Sequence, residues 1–594
     1  MEKKHYYTDE RNAQIVIALL KAHGVRDLII SPGATNDCFV LSVQDDPDFT
    51  IYSAVDERHA GYLACGIAQE SGRPVVINCT GATASRNYMP ALTEAYYRKL
   101  PIVALTCSQH ASHIGQMYPQ MTDRIHLPAD VVNLSVQCPI PHTKEEEWDC
   151  IVKVNRALLE LTHHGGGPVH INLETELCQT YSAGVLPPVR VIKRVMPFDD
   201  ESVWPRIPKE AKVLVWIGSH KPFAPKELDA LDSFVRSRNA AVIDDITSNC
   251  PIMAFDSSLL CAQKGFGSNP AYKGLKPDLI IHIGEISGDY PTFRTLKNTV
   301  PVWRVSEDGE LRDFLGGLKN VFEMPESIFF RHYATETESV HAYAQEWRQA
   351  TDHVRKVRMD LPFSALWIAQ TLAPMLPTDS NLHLGILNPL RCWNMAVAKV
   401  RHGFSTVGGF GIDGGTSSLI GSALASPEVL NFGVFGDLSF FYDLNALGSR
   451  HVGTNVRILL VNNGEGGEFT APGNISDNPN CGERVHDFIA AKGHYGCQSP
   501  DLVRHFASDL GFVYLTASDK DGFMECARRF VDPAIDKPMV FECFTTTQDD
   551  RRALEAVKMI APYVDKSLKA GLKKAAKNVL PANVQNAIRA AMGR

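Results

Sequence analysis

No stretch of the chain approaches the roughly 18–20 consecutive apolar residues that a membrane-spanning helix needs. The opening segment MEKKHYYTDE is polar and lacks the apolar core of a secretion signal. A basic excess is missing too. The formal net charge is −8, so the general electrostatic footprint of a nucleic-acid binder is absent and no nucleic-acid partner is expected. The 14 cysteines stand singly, without a CxxC pair or a compact disulfide framework. Reduced thiols in a cytoplasmic protein are therefore expected, with Cys65 and Cys79 serving as core. The segment GSHKPFAPKELDAL (218–231) places a short loop after an apolar run but has no GxGxxG, so the dinucleotide fingerprint is lacking.

What the chain does have is length and rhythm. Its 594 residues are too many for one domain and suggest about three to five. Hydrophobic residues make up 44% and charged residues 21%, enough to build large cores. Short Val/Ile-rich runs recur: DLIIS (27–31), PVVINCTG (74–81), PIVALTC (101–107) and GPVHINLE (167–174). The middle repeats them at 212–218, 240–246, 278–284 and 300–305, and the last third at 431–437, 456–464, 511–517 and 537–544. Apolar runs alternating with helical periodicity predict parallel sheets covered on both faces, an α/β fold built three times over. A Pro-rich connector at 180–210 and a charged helical bridge at 335–360 suggest the boundaries. Past about 550 the strand pattern stops. Lys566 to Arg594 carries seven Lys or Arg and no acid, a tail suited to an anionic membrane surface, to a partner, or to solvent.

The chemistry concentrates in two places. GDLSFFYDLNAL begins at Gly436 and Asp437 directly after an apolar run, and VNNGEGGEF follows a second run that ends before Asn463. Asp437 and Asn463 are thus expected at the carboxyl ends of two strands, where open α/β sheets bind ligands. A carboxylate, a side-chain amide and a backbone carbonyl suit a hard Mg2+ ion that also takes phosphate oxygens. In the N-terminal third, AVDERHAGYLACGIA (54–68) sets Glu57 between a short strand and a small-residue helix. By itself Glu57 reads as an acid favoured at a helix N-terminus.

Together these segments resemble the thiamine-diphosphate (ThDP)-dependent enzymes, whose diphosphate motif is GD followed some 25–30 residues later by NN. The resemblance implies that Asp437, Asn463 and the carbonyl of Glu465 hold Mg2+, although NNGEGGEF is one residue longer than in the relatives compared. It implies that Glu57 lies beside the cofactor's aminopyrimidine, where a carboxylate in a dry pocket promotes loss of the thiazolium proton. SPGATN (31–36), with Gly33, resembles the family's first Gly-rich loop, and TGATASRNYMPALTEAY (80–96), with Thr80, Gly81 and Asn87, its pyrimidine-packing segment. HIGQMYPQ (113–120) resembles a segment of acetolactate synthase ending in a substrate-facing Gln, here Gln120. His113 is a candidate proton donor there or a structural loop residue, and His59 and His110 are lesser candidates. In VGGFGIDGG (407–415), Gly409 and Gly411 would let the cofactor approach, Ile412 would bend it, and Asp413 and Gly414 would lie nearby. Gly436, Leu438, Ser439 and Gly467 complete the expected cofactor contacts.

The resemblance covers most of 5–545 in order: a pyrimidine domain at 1–185, a central domain at 186–350, a diphosphate domain at 351–550, and the tail at 551–594. DERHAGYLACGIA, FGIDGG and GDLSFFYDLNALG are most similar to the menaquinone-pathway synthase that makes succinyl-enolpyruvyl-hydroxycyclohexene-carboxylate. Acetolactate synthase is a more distant relative. The pattern departs where substrate binds. SPGATN replaces an Arg-bearing loop, Val407 stands where that synthase has Arg, and NPLRCW offers only Arg391 from a shifted position. The expected reaction is decarboxylation of a 2-oxo acid and transfer of the acyl-anion equivalent to an acceptor carbonyl or conjugated compound. Alternatives are a simple decarboxylase, the menaquinone synthase itself and a cyclic-dione hydrolase; a silent scaffold is disfavoured because Glu57, Asp437 and Asn463 are all present. No FAD is expected in the central domain. The family places Glu57 and Asp437 of different subunits around one cofactor, so a homodimer or homotetramer is expected.

Overall fold

The computed structural model describes residues 5–124, 126–251, 257–264, 266, 270–336, 342–357, 359–396, 398–494 and 498–560. The basic tail from Lys566 to Arg594 lies outside the described residues, so its expected roles find no structural counterpart here. Among the described residues, no helix is long and apolar enough to cross a membrane. The chain divides into two compact units, one of residues 1–196 with 308–323, the other of 197–307 with 324–594. Three six-stranded sheets carry the architecture, and the strands pair in parallel, as the repeated apolar runs predict.

In the first unit the strand order is Thr50–Ser53, Asp27–Ile30, Val75–Cys79, Ile102–Ser108, Val169–Glu174, Leu134–Cys138. Alternate residues of these strands feed opposite layers. Leu28, Ile30, Val76, Val103 and Leu105 pack with residues of the helices Arg11–Ala22 and Lys144–Leu159. Ile29, Val75, Ile77 and Ala104 pack with the helices Glu57–Ser71 and Met89–Arg98, and Cys65 and Cys79 are buried in that layer. The small residues of Glu57–Ser71 have a purpose there. A Cβ on Gly61 would lie 2.6 Å from the Cβ of Ala91, so glycine sets how closely the two helices approach.

In the second unit one sheet runs His402–Ser405, Asn381–Leu384, Asn431–Gly436, Val456–Asn462, Met539–Phe544, Val513–Ala517. Numbered within each sheet, this order and that of the first unit are the same, 2-1-3-4-6-5. The central strands are fully buried, as in Val456–Asn462, which explains their continuous apolar sequence. Four further strands, Val302–Ser306, Leu279–Ile283, Val213–Ile217 and Ala240–Ile243, lie within the same unit. Short, partly polar strands such as NLHL (Asn381–Leu384) and HGFS (His402–Ser405) carry no comparable apolar signal. The charged bridge is helical over Ala342–Lys356, and the Pro-rich connector contributes one short strand, Lys193–Val195.

Gly61→Ala tests the helix contact. Alanine favours a helix by about 1 kcal/mol over glycine, whereas overpacking costs about 1–3 kcal/mol. The variant should lower the urea midpoint of the first unfolding transition; a rise would show that the helices have room to spare.

Candidate functional site

The repeated strand order makes a switch point in each sheet, where the chain runs outward from strand 1 to strand 2 and returns beyond strand 1 as strand 3. Crevices at such points, beyond the carboxyl ends of the strands, are the places where open α/β sheets hold ligands. In the second unit, Asp437 directly follows strand Asn431–Gly436 and opens the short helix Asp437–Tyr442. Asn463 directly follows the neighbouring strand Val456–Asn462. The two motifs meet through a hydrogen bond: the Gly464 N–H donates to Asp437 Oδ2 at 2.7 Å. Leu438 N–H donates to Oδ1 of the same carboxylate at 2.7 Å.

Asp437 is buried, and burial pushes its carboxyl up to about 6, with the nearby charge of Asp550 acting in the same direction. Its hydrogen-bond partners among the described residues are backbone N–H groups, and none is a cation. Asn463 is oriented from behind. Its Nδ2 donates to Asp550 Oδ2 at 2.9 Å, which identifies Oδ1 as the free end of the amide, touched only by the Glu465 N–H at 3.3 Å. The Asp550 carboxylate also accepts from the Ala365 N–H at 2.7 Å, so a buried acid on the helix Thr547–Lys558 anchors the Asn463 side chain. Glu465 uses its own carboxylate for the loop: Oε2 lies 2.7 Å from His486 Nδ1 and Oε1 accepts from Thr547 Oγ1 at 2.7 Å. Only its backbone carbonyl is left as a candidate ligand.

One cleft collects most of the residues expected in this unit. Ile412, Gly436, Asp437, Leu438, Ser439, Asn463, Glu465 and Gly467 all line it. Ser439 Oγ donates to the Ile412 carbonyl at 2.8 Å, which ties the 407–415 loop to the metal motif. Gly409, Gly411 and Asp413 are not in this lining. The Asp413 carboxylate instead folds against the open side of Gly411, and the Gly411 carbonyl accepts from Thr406 Oγ1 at 2.8 Å. A Cβ on Gly409, Gly414 or Gly436 would meet nothing within 4 Å. These glycines fill no packing need, and the space beside them suits a ligand lying on the backbone. Buried acid, oriented amide oxygen and open glycines together fit a diphosphate-bound Mg2+.

In the first unit the same switch point brings SPGATN onto Thr80. A Cβ on Gly33 would stand 2.6 Å from the Cβ of Thr80, so the glycine lets the two loops touch. Thr35 and Thr80 share a hydroxyl–hydroxyl hydrogen bond, and Thr35 also donates to the Cys107 carbonyl at 2.8 Å. Asn36 is fully buried, with Nδ2 donating to the Ser31 carbonyl at 3.0 Å and to Asn78 Oδ1 at 2.8 Å. Thus the Asn and Thr of SPGATN are occupied in holding the loop. The open side of Gly81 faces Arg124, a buried guanidinium that donates to Asn172 Oδ1 at 2.9 Å and whose Nε and Nη1 have no hydrogen-bond partner. Arg124 gave no motif signal in the sequence; its burial is visible only in the fold.

Glu57 opens its helix after Asp56, whose side chain caps it by accepting from the Arg58 and His59 N–H groups at 2.9 and 3.2 Å. The cap is therefore supplied by Asp56. Glu57 is half-buried, with Asn87 Nδ2 3.5 Å from its Oε2, a long contact that leaves the carboxylate open to another partner. His113 stacks on Tyr118 with ring centroids 4.0 Å apart, and its Nδ1 is buried without a hydrogen-bond partner. His110 Nδ1 pairs with Ser112 Oγ at 2.7 Å. His59 and Gln120 are exposed, and Gln120 has φ +65° at the end of the 113–120 segment. Arg391 is already engaged: Nη2 donates to Glu468 Oε2 at 2.6 Å and Nη1 to Asn388 Oδ1 at 3.1 Å.

Comparison with known proteins identifies the family. The family "Thiamine pyrophosphate enzyme, N-terminal TPP binding domain" matches residues 11–127. A 2-succinyl-5-enolpyruvyl-6-hydroxy-3-cyclohexene-1-carboxylate synthase of Phocaeicola vulgatus is 33% identical over 567 residues, covering 92% of this chain and 98% of the relative. One from Bacteroides fragilis is 33% identical over 569 residues, with the same coverage. One from Geobacillus kaustophilus is 28% identical, covering 77% of this chain and 83% of the relative.

A raised Asp437 pKa stabilises the metal-free fold at low pH, a contribution lost as pH rises through about 6. A cation needs the ionised form, so its affinity moves the opposite way. The rise in melting temperature produced by Mg2+ with thiamine diphosphate should be largest near pH 7–8 and shrink below about pH 6. Asp437→Asn should remove most of that rise; an undiminished rise in the variant would exclude Asp437 as a ligand.

Proposed function

The chain belongs to the thiamine-diphosphate-dependent enzymes, and on that premise we propose that it decarboxylates a 2-oxo acid and transfers the resulting acyl unit to a conjugated acceptor, as a carboligase of the succinyl-enolpyruvyl-hydroxycyclohexene-carboxylate synthase type. The observation that carries the reading is the Asp437–Gly464 hydrogen bond, which holds the GD and NN motifs together at the switch point. Bound there with Mg2+, thiamine diphosphate supplies the electron sink needed to break the bond between a carbonyl carbon and a carboxylate.

The chain's own residues divide the work. Asp437, Asn463 and the Glu465 carbonyl would hold the metal, and Gly436, Leu438, Ser439 and Gly467, which line the same cleft, would meet the diphosphate. Glu57 would share a proton with the aminopyrimidine, its carboxylate being within 3.5 Å of Asn87 Nδ2. Gln120 would face the substrate and His113 would be a candidate proton donor beside it. A central domain without a flavin role and a homodimer or homotetramer, with Glu57 of one copy facing Asp437 of another, complete the proposal. Sedimentation should then give at least twice the 65.5 kDa chain mass.

Relatives named as that synthase favour its donor and acceptor, 2-oxoglutarate and isochorismate, despite the Arg-poor SPGATN loop and Val407. A specific feature supports carboxylated ligands. Arg294, Arg391 and Lys558 line a second cleft of about 540 Å3, which also shares Leu387 and Glu468 with the cleft at Asp437. Among the described lining residues the one acid is Glu468, the partner of Arg391. Two cations beyond the paired Arg391 therefore remain for an acidic substrate.

CO2 release from a panel of 2-oxo acids, with and without isochorismate, tests the reading. Release that depends on thiamine diphosphate, Mg2+ and the acceptor identifies the synthase reaction; release without any acceptor identifies a simple decarboxylase. Glu57→Gln should keep cofactor binding and lose at least about 100-fold in turnover. Unchanged turnover in this variant would remove Glu57 from the mechanism.

A further inference from the structure

The first unit gathers two histidines, two acids and an arginine, none of which lines either cleft. The helix Lys144–Leu159 ends at Glu160, and the chain then turns through His163–Gly165. Glu323 is the last residue of the strand Leu318–Glu323, which pairs with Lys193–Val195 so that Arg194 lies opposite Val321. The segment 308–323 thus returns to the first unit after a long excursion, and Glu323 meets the His163–His164 turn at its end.

The hydrogen bonding of the group is incomplete. His163 Nδ1 lies 3.0 and 2.9 Å from the two Glu160 carboxylate oxygens, so it carries the proton and donates. Its Nε2 lies 2.9 Å from Glu323 Oε2, yet neither atom makes a hydrogen bond. His164 Nε2 lies 3.1 Å from the other oxygen, Oε1. Glu323 is nine-tenths buried, so its Oε2 is an orphaned acceptor directed at an imidazole nitrogen. Arg194 lies at the edge: Nη2 donates to Glu160 at 3.0 Å and to the Gly309 carbonyl at 3.2 Å, and Nε is 3.4 Å from Glu323 Oε2 without a hydrogen bond.

We propose that His163, His164 and Glu323 bind a divalent transition-metal ion of the zinc type, which staples the returning segment to the first unit. The three ligand atoms lie within 4.8 Å of one another. Donors around a tetrahedral zinc, each about 2.0–2.1 Å from the metal, lie about 3.3 Å apart, so the two imidazoles, stacked with centroids 3.7 Å apart, would turn to converge on the ion. Glu160 supplies the carboxylate that fixes the His163 tautomer and turns Nε2 inward, the usual support of a metal-bound histidine. His164 is exposed, with 72% of its side chain accessible, which gives the ion a route in and leaves the fourth position to water. Arg194 stays on Glu160 and Gly309 and balances the second acid. Without the metal, the rival occupant is a proton on Nε2, which would make His163 a singly charged imidazolium between Glu160 and Glu323; metal binding would release it.

The experiment adds zinc chloride to wild-type protein already saturated with thiamine diphosphate and Mg2+, so that the cofactor site is filled, and measures bound zinc by equilibrium dialysis. Wild type should bind one ion per chain, His164→Ala should bind it at least about tenfold more weakly, and zinc should raise the melting temperature of wild type only. Glu323→Gln, carried in parallel with cobalt as the probe, should lose the visible absorption of a four-coordinate site. CO2 release should stay the same in His164→Ala. No zinc uptake by wild type, or equal uptake by wild type and His164→Ala, would overturn the proposal and leave the cluster as a proton-bridged ion pair.

Discussion

A buried carboxylate without a cation governs the second unit. Asp437 sits at the end of a fully covered parallel sheet, where burial raises the free energy of its charge and where its compensation comes from the N–H groups of Leu438 and Gly464. Those two bonds do more than solvate the acid. They fix the distance between the end of strand Asn431–Gly436 and the loop after Val456–Asn462, and so place the Asn463 amide. Asp550 then turns that amide so that its oxygen is free. A site that keeps an acid dry, orients an amide oxygen and leaves glycines open is prepared for a cation and an anion together, because each relieves the cost of the other.

The two related sheets use one topology for two tasks. Strand order 2-1-3-4-6-5 puts a crevice at the same point in both. In each, the segment after strand 2 leads into a helix: Glu57 begins one, and 407–415 leads to the helix Gly415–Ala425. In the first unit Gly33 lets the first loop touch Thr80, and the Asn36 amide nitrogen and the Thr35 hydroxyl are spent on the loop. In the second the crevice stays open beside Gly436. A half-buried Glu57 with one long hydrogen bond keeps its carboxylate open to a further partner, which the self-association proposed above would supply.

On the substrate side, the departures from the menaquinone-pathway pattern lie in SPGATN and at Val407, while the cofactor motifs are kept. Under the reading proposed above, Arg294 and Lys558, which come from segments with no substrate motif, would supply the cationic groups that the pattern lacks. Arg391, which the sequence offered as a replacement for the missing arginines, is held by Glu468 and Asn388 and lines the same cleft as a paired group.

The sequence by itself determined the α/β class, the three parallel sheets, and the adjacency of Asp437 and Asn463. Continuous apolar strands announce covered sheets, and a motif placed directly after such a strand inherits the strand's position. It also carried the family, because GD, NN and DERHA recur at a spacing set by one βαβ unit and by domain order. Only the tertiary structure showed that Asp550 orients Asn463, that Arg124 lies buried under Gly81, and that Glu323 reaches the His163–His164 turn. These pairs are 87, 43 and 160 residues apart, joined by packing rather than by a local pattern. Likewise the short strands NLHL and HGFS owe their conformation to neighbours in the sheet, since their own residues state no period.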